Sequence, residues 1–184
     1  MSGQPPAVAG VLLAAGGGRR YGTPKVLVEG WLPAALAALA DGGCDRLAVV
    51  LGAAEAPVPD GVAVVTAPDW RTGLSASVRA GLDYATGIRA DYAVLHVVDT
   101  PDVGADVVAR VLHAAVASAG GLARATFNGR PGHPVVIARR HWPAVSASLS
   151  GDRGAGPFLR AAQDVAHIEC ADLAGGRDHD RPDR

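Results

Sequence analysis

Residues 13–25, LAAGGGRRYGTPK, constrain the chain more than any other stretch. An apolar β-type run at residues 8–13 leads into them, and Gly16, Gly17, Gly18 and Gly22 then rule out regular structure, so a loop is expected to spring from a strand end. Successive glycines let several backbone N–H groups turn towards one point with no Cβ in the way, which makes an anion-binding concavity. Arg19, Arg20 and Lys25 add fixed positive charge around it. Polyphosphate is the ligand that uses many donors and full charges together.

Lys25 is the single lysine among the 17 Lys plus Arg. A compact ammonium and a planar guanidinium are not interchangeable beside a reacting phosphate, so the placement of this lysine inside the loop is informative. Two other glycine loops are excluded. No Gly-Lys pair occurs anywhere, so the Walker pattern is absent. A dinucleotide fingerprint begun at Gly16 and Gly18 finds Tyr21 where its third glycine belongs, which argues against a nicotinamide or flavin enzyme.

A chain of 184 residues that is 49% hydrophobic fits one domain with a sizeable core, expected over residues 7–184 after a frayed start at 1–6. A net charge of -1 gives no global basic field, so neither nucleic acid nor an anionic membrane is an expected partner. Cys44 and Cys170 lie far apart in sequence and outside any zinc pattern, as reduced cytoplasmic thiols would. The apolar run at 7–15 is too short to span a bilayer and has no basic residues before it, so a leader peptide is not expected.

Hydrophobic periodicity predicts strands at 8–13, 46–51, 62–66 and 92–98, and helices at 32–40, from 74, and around 107–115. The helix at 32–40 is apolar nearly all round and is expected to be buried. Two further strands, 122–127 and 134–139, joined by the loop 128–132, read as an antiparallel excursion on an otherwise parallel sheet. A helix starting near Phe158 and a last strand at 166–170 complete the reading.

Asp99 follows the most hydrophobic of the later strands and so stands at the carboxyl edge of a parallel sheet, where ligands of open α/β sheets bind. Together with triphosphate oxygens it would hold Mg²⁺, which takes hard oxygen ligands and few protein carboxylates.

Leu13, Ala14, Ala15, Gly16, Gly18, Arg20, Gly22 and Lys25 fill every fixed place of L-A-A-G-x-[GS]-x-R-x-G-x-x-K, a pattern that resembles the signature of MobA/MocA-like nucleotidyltransferases. The resemblance implies a three-layer α/β/α Rossmann-like fold. It also implies a nucleoside triphosphate wrapped by Leu13, Ala14, Ala15, Gly16, Gly17, Gly18 and Arg19, with Arg20 and Lys25 neutralising its phosphates beside Mg²⁺. Asp99-Thr100-Pro101 occupies the place of the family's D-x-P metal motif, with Thr100 where many cytidylyltransferases have methionine. Asp178-His179-Asp180 resembles the family's terminal D-x-D-T-P-x-D element, which implies Asp180, or Asp178 in a shifted register, as second metal ligand; Arg181 and Arg184 depart from it.

The stretch 68–77 resembles the segment that closes on the nucleobase, which implies that Gly73, Ser75 and Ser77 bind base or ribose. Gly132-His133-Pro134 and Gly151-Asp152-Arg153-Gly154-Ala155 resemble acceptor-side elements and imply His133 and Asp152 as substrate contacts. The implied reaction is transfer of CMP from CTP to molybdenum cofactor, with pyrophosphate leaving and a molybdoenzyme as protein partner. The alternatives are a guanylyltransferase acting on molybdopterin or a phospholactate-type acceptor, and a nucleotide-binding accessory protein without turnover. The segment 26–31 is shorter than in the family and has no G-x-P-L element, which bears on the acceptor side.

Overall fold

In a computed structural model that describes residues 5–180, the sheet is built outward from a strand buried along its whole length. β1 (Val8–Leu13) is buried at all six positions, as its unbroken apolar run requires of a central parallel strand. It pairs in parallel with β2 (Arg46–Leu51) on one side and β4 (Tyr92–Val97) on the other. β3 (Val62–Thr66) adds in parallel to β2 and forms one edge. β6 (Arg130–Ala138) pairs antiparallel with β4 and with β5 (Leu122–Phe127), and β7 (Val165–Glu169) lies parallel to β5. The order is β3-β2-β1-β4-β6-β5-β7.

Among the described residues, five α-helices cover this sheet. α1 (Trp31–Asp41) and α3 (Ala105–Ala117) bury Leu36, Leu39, Val108 and Val111 against one face. α2 (Leu74–Gly87), α4 (Trp142–Ser148) and α5 (Gly156–Ala161) bury Val78, Leu82, Val145 and Leu159 against the other. Strand alternation divides the core accordingly, with Leu12 facing the first layer and Val11 and Leu13 the second. Each fully buried leucine, such as Leu39 or Leu82, contributes on the order of 2–5 kcal/mol against truncation to alanine.

Three expectations change. The helix at 32–40 is buried on one side only: Pro33, Ala34, Ala37 and Ala40 face water, which is tolerable because alanine exposes so little apolar area. β6 starts at Arg130, four residues before the expected Pro134, because Asn128 (φ 52) and Gly129 (φ 74) make a two-residue turn with both central residues left-handed. A seven-residue helix, α4, stands where none was expected; it opens on Trp142-Pro143, proline being suited to a first helical turn. The expected start at 1–6 falls mostly outside the described residues, as do Arg181 and Arg184.

The hairpin is fastened to β7 by Glu169, whose carboxylate accepts from the N–H groups of Asn128, Gly129 and Ala171 and from the Thr126 hydroxyl. Those bonds, first that of Gly129, hold its carboxyl down at about 2. A depressed native pKa stabilises above the unfolded value of about 4.5 and loses that contribution as pH falls towards 2. Glu169→Gln should therefore lower the melting temperature at pH 7, with the gap to wild type narrowing below about pH 4, as thermal unfolding followed by circular dichroism would show. Cys44 and Cys170 are buried free thiols, and burial pushes Cys44 up to about 12, so it is unreactive.

Candidate active site

The chain leaves β1 for β2 in one direction and crosses from β3 to β4 in the other, so the strand order reverses between β1 and β4. Open α/β sheets bind ligands outside the carboxyl ends of the strands at such a reversal. Here the glycine loop leaves β1 and Asp99 leaves β4 side by side, their strands being hydrogen-bonded neighbours in register Leu13 to Val97. A cleft of about 500 Å³ opens between them.

The loop is held at its base by Ala14 N–H donating to Val50 O (3.0 Å) and Ala53 N–H to Ala15 O (3.0 Å). Beyond that, no backbone N–H in residues 16–21 donates to an acceptor among the described residues. Orphan donors at the mouth of a cleft need a partner, and an anion supplies one. The left-handed conformation falls on Gly18 (φ 60) and Gly22 (φ 98). Around Gly16 nothing lies within 4 Å of where a Cβ would stand, so its side of the loop is open to a ligand. At Gly18 a Cβ would collide with the Thr23 carbonyl. Gly18→Ala is thus expected to cost at least about 1–2 kcal/mol in denaturant unfolding, with the loop reshaped.

Lys25 reaches back across the cleft. Its Nζ donates to Asp99 Oδ2 at 2.6 Å and to Asp180 Oδ1 at 3.0 Å. Burial works against the ammonium, but the bonds and charges of the two carboxylates outweigh it and hold Lys25 above its ordinary range. Arg20 donates to Asp180 Oδ2 at 2.9 Å, an exposed pair that adds little stability. Asp178 is also close; desolvation and then the charges of Asp99 and Asp180 push its carboxyl up, so negative charge here exceeds what Lys25 neutralises.

The segment carrying Asp180 is tied down rather than loose. Gly175 and Gly176 donate their N–H groups to Asp102 Oδ2, His179 N–H donates to Asp99 O (3.0 Å), and the His179 ring meets Trp31 edge-on at 5.5 Å.

A cation already bridges Asp99 and Asp180, so this pair of carboxylates is of the right chemistry and spacing for a divalent ion. Among the described residues no group of three or more His, Cys, Asp or Glu converges. Such an ion would take most of its ligands from phosphate and water, as Mg²⁺ does.

Of the residues expected to bind nucleotide or metal, Leu13, Ala14, Ala15, Gly16, Gly17, Gly18, Arg19, Arg20, Lys25, Gly73, Ser77, Asp99 and Asp180 all line the cleft, and so does Asp152 from the acceptor side. Ser75 does not: it lies on the opposite side of α2, bordering a separate hollow with Val64 and Tyr84. Two residues apart on a helix is a turn of about 200°, so Ser75 and Ser77 point to different sides. Asp178 is not on the cleft wall, and Asp180 is. His133 also lies off the wall, two residues before Val135, which pairs with Leu95 of β4. Its ring is held down at about 4, by burial and then by Arg124, so it is neutral at physiological pH.

Tyr21, Trp70, Arg71 and Leu74 line the cleft without having been singled out. A Cβ on Gly17 would stand 3.3 Å from the Trp70 ring, so indole and loop close one end of the cleft together. The signal was available, since a lone tryptophan beside a Thr-Gly helix start is unusual on a surface.

The model of the MobA-like NTP transferase domain matches residues 10–167. A protein of Paenarthrobacter nicotinovorans named nicotine blue oxidoreductase is 33% identical over 193 residues, covering 95% of this chain and 93% of that one. The molybdenum cofactor guanylyltransferase of Rhodobacter capsulatus is 40% identical over 119 residues, 61% of each chain. The crystal structure of Rv0371c from Mycobacterium tuberculosis H37Rv in complex with manganese superimposes with a TM-score of 0.73 at 27% identity, covering 89% of this chain and 88% of that one. The chain belongs to the MobA-like NTP transferase family, as a nucleotidyltransferase.

Proposed function

We propose that the protein transfers CMP from CTP to a phosphate-bearing acceptor of the molybdenum cofactor type, with Mg²⁺ held by Asp99 and Asp180 and pyrophosphate leaving. The observation that carries this reading is the meeting of Lys25 with Asp99 at 2.6 Å directly beside a loop of unpaired N–H donors. One cleft then offers a cation for the phosphates, a carboxylate for a metal and a cradle for a polyphosphate.

The residues divide the work by position. Unpaired loop amides receive the β and γ phosphates, while Arg19 and Arg20 add charge at the rim. Lys25, freed from its two carboxylates, would face the α-phosphate and stabilise charge that grows on its oxygens and on the departing pyrophosphate. Gly73 and Ser77 at the start of α2, with Trp70, are placed to meet the nucleoside. Asp152 borders the acceptor side. When bound, a divalent ion supplies charge compensation between donor and acceptor oxygens. No side chain need act as nucleophile, because an acceptor phosphate oxygen attacks and catalysis is positioning and electrostatics.

The base and the acceptor come from the motif likeness alone, and a relative named as a guanylyltransferase favours GTP instead. The relative named as an oxidoreductase points to another reaction class, against which stands Tyr21 in place of a dinucleotide-fingerprint glycine. We place the reaction in the cytoplasm, where nucleoside triphosphates are supplied, with a molybdoenzyme receiving the product. Among the described residues no helix is long and apolar enough to cross a membrane.

The test is pyrophosphate release from CTP, GTP, ATP and UTP in turn, each with Mg²⁺ and molybdenum cofactor. Release with CTP alone supports the proposal, and release with GTP alone makes the protein a guanylyltransferase. Nucleotide binding without release favours the accessory role.

A further inference from the structure

Beyond the cleft wall the sheet carries a second, unneutralised basic cluster. Arg124 sits inside β5 among Leu122, Ala123 and Ala125, all buried, and is itself half-buried. Its Nε is shielded from water with no hydrogen-bond partner among the described residues, where its one bond is a long one from Nη2 to Gly132 O, at 3.4 Å. Among the described residues no carboxylate stands within ion-pair distance of it. A desolvated guanidinium without a counter-charge is costly, and chains rarely keep one unless something pairs with it.

The surroundings increase that cost. Arg160 of α5 is near enough to lower the affinity of Arg124 for its proton, an effect second to burial. Arg160 is exposed, and its Nη1 folds back over Gly156 at the start of α5. Like charges held together in a partly dry place are the arrangement that an anion of two charges relieves.

Arg124 shares a face of the sheet with the transfer site. Arg124 lies opposite Val135, and Val135 opposite Leu95, so its side chain emerges on the α2 and α5 face, the face on which Val97 borders the cleft. Between Arg124 and Thr126 the pairing with β6 shifts register, leaving residues 132–134 as a bulge opposite Ala125. Bulges of this kind re-aim side chains beside functional sites. The one here carries His133, which feels the charges of both Arg124 and Asp99.

We propose that Arg124 and Arg160, with His133 on the bulge, form the subsite that holds a phosphomonoester group of the acceptor next to the metal carboxylate Asp99. This rests on the transfer reading above and adds the acceptor's binding group. Arg124 supplies the buried fork, Arg160 closes over it from the rim, and the His133 ring contributes a hydrogen bond rather than a charge. The phosphate is thereby presented to the donor from the side opposite the glycine loop.

The probe is inorganic phosphate, titrated calorimetrically into the full chain with the donor site already filled by Mg²⁺ and tripolyphosphate. Wild type is expected to take up phosphate without displacing tripolyphosphate. Arg124→Met should weaken phosphate binding by about tenfold or more, the loss typical of a charge-assisted bond, while leaving tripolyphosphate affinity unchanged. Arg160→Met, at an exposed position that does not threaten folding, should weaken it by about threefold, and Arg124→Lys should restore part of what methionine loses. Phosphate binding equal to wild type in both methionine variants overturns the subsite. So does phosphate that competes with tripolyphosphate, which would assign Arg124 to the leaving group. Failure of tripolyphosphate to bind, with an Arg124-dependent phosphate site intact, would instead count against the donor cleft alone.

Discussion

Lys25→Met is expected to lower turnover by about 10²–10³-fold, the loss seen when one preorganised charge is removed from a developing oxyanion, with nucleotide binding weakened far less. The unpaired amides and Arg19 and Arg20 remain in the variant, which is why binding survives. A second effect has the opposite sign. Without nucleotide, the ammonium of Lys25 lies between Asp99 and Asp180 and competes with any divalent ion for them. Removing it takes a positive charge away from Asp99 and Asp180, the latter still paired with Arg20, so nucleotide-free Mn²⁺ affinity should rise in Lys25→Met, as electron paramagnetic resonance of the free ion would show. Unchanged turnover would rule out the role given to the lysine.

Asp99→Asn is expected to cost at least about 10³-fold in turnover, because several kcal/mol of charge stabilisation go with the ion and each 1.36 kcal/mol is tenfold. The substitution is nearly isosteric, and the backbone carbonyl of Asp99 still accepts from His179 N–H, so the fold should stand. Steady-state assays at rising Mn²⁺ or Mg²⁺ check it. The defect should be partly relieved at high metal concentration, since Asp180 keeps one ligand in place.

Much of the fold is legible because β1, β2 and β4 are nearly continuous apolar runs and the helices between them carry a 3.6-residue stripe. β6 was cut short because Arg130-Pro131-Gly132-His133 reads as a turn. It is strand only because the Asn128-Gly129 turn and Glu169 fix the hairpin from outside. α4 escaped because seven residues are too few for a period to show. The glycine loop and Asp99 could be placed together from strand ends alone, since a parallel sheet brings its carboxyl edges to one side. Ser75 and Ser77 share a motif but not a side of α2, since two residues on a helix turn about 200°, so Ser77 lines the cleft and Ser75 borders the other hollow. Arg124 gave only a faint signal, one charge inside an otherwise apolar strand, and its meaning depends on β6 and α5 being brought against it.

The account stands on Lys25, Asp99 and the glycine loop serving a single metal-bound triphosphate, and thermal shift with CTP, GTP, ATP and UTP, each with and without Mg²⁺, in wild type and Asp99→Asn tests it most directly. One nucleotide at about 100 times its Kd is predicted to raise the wild-type melting temperature by about 5–10 °C, with Mg²⁺ required and most of the shift lost in Asp99→Asn. No shift with any nucleotide, or the same shift in both proteins, would contradict it.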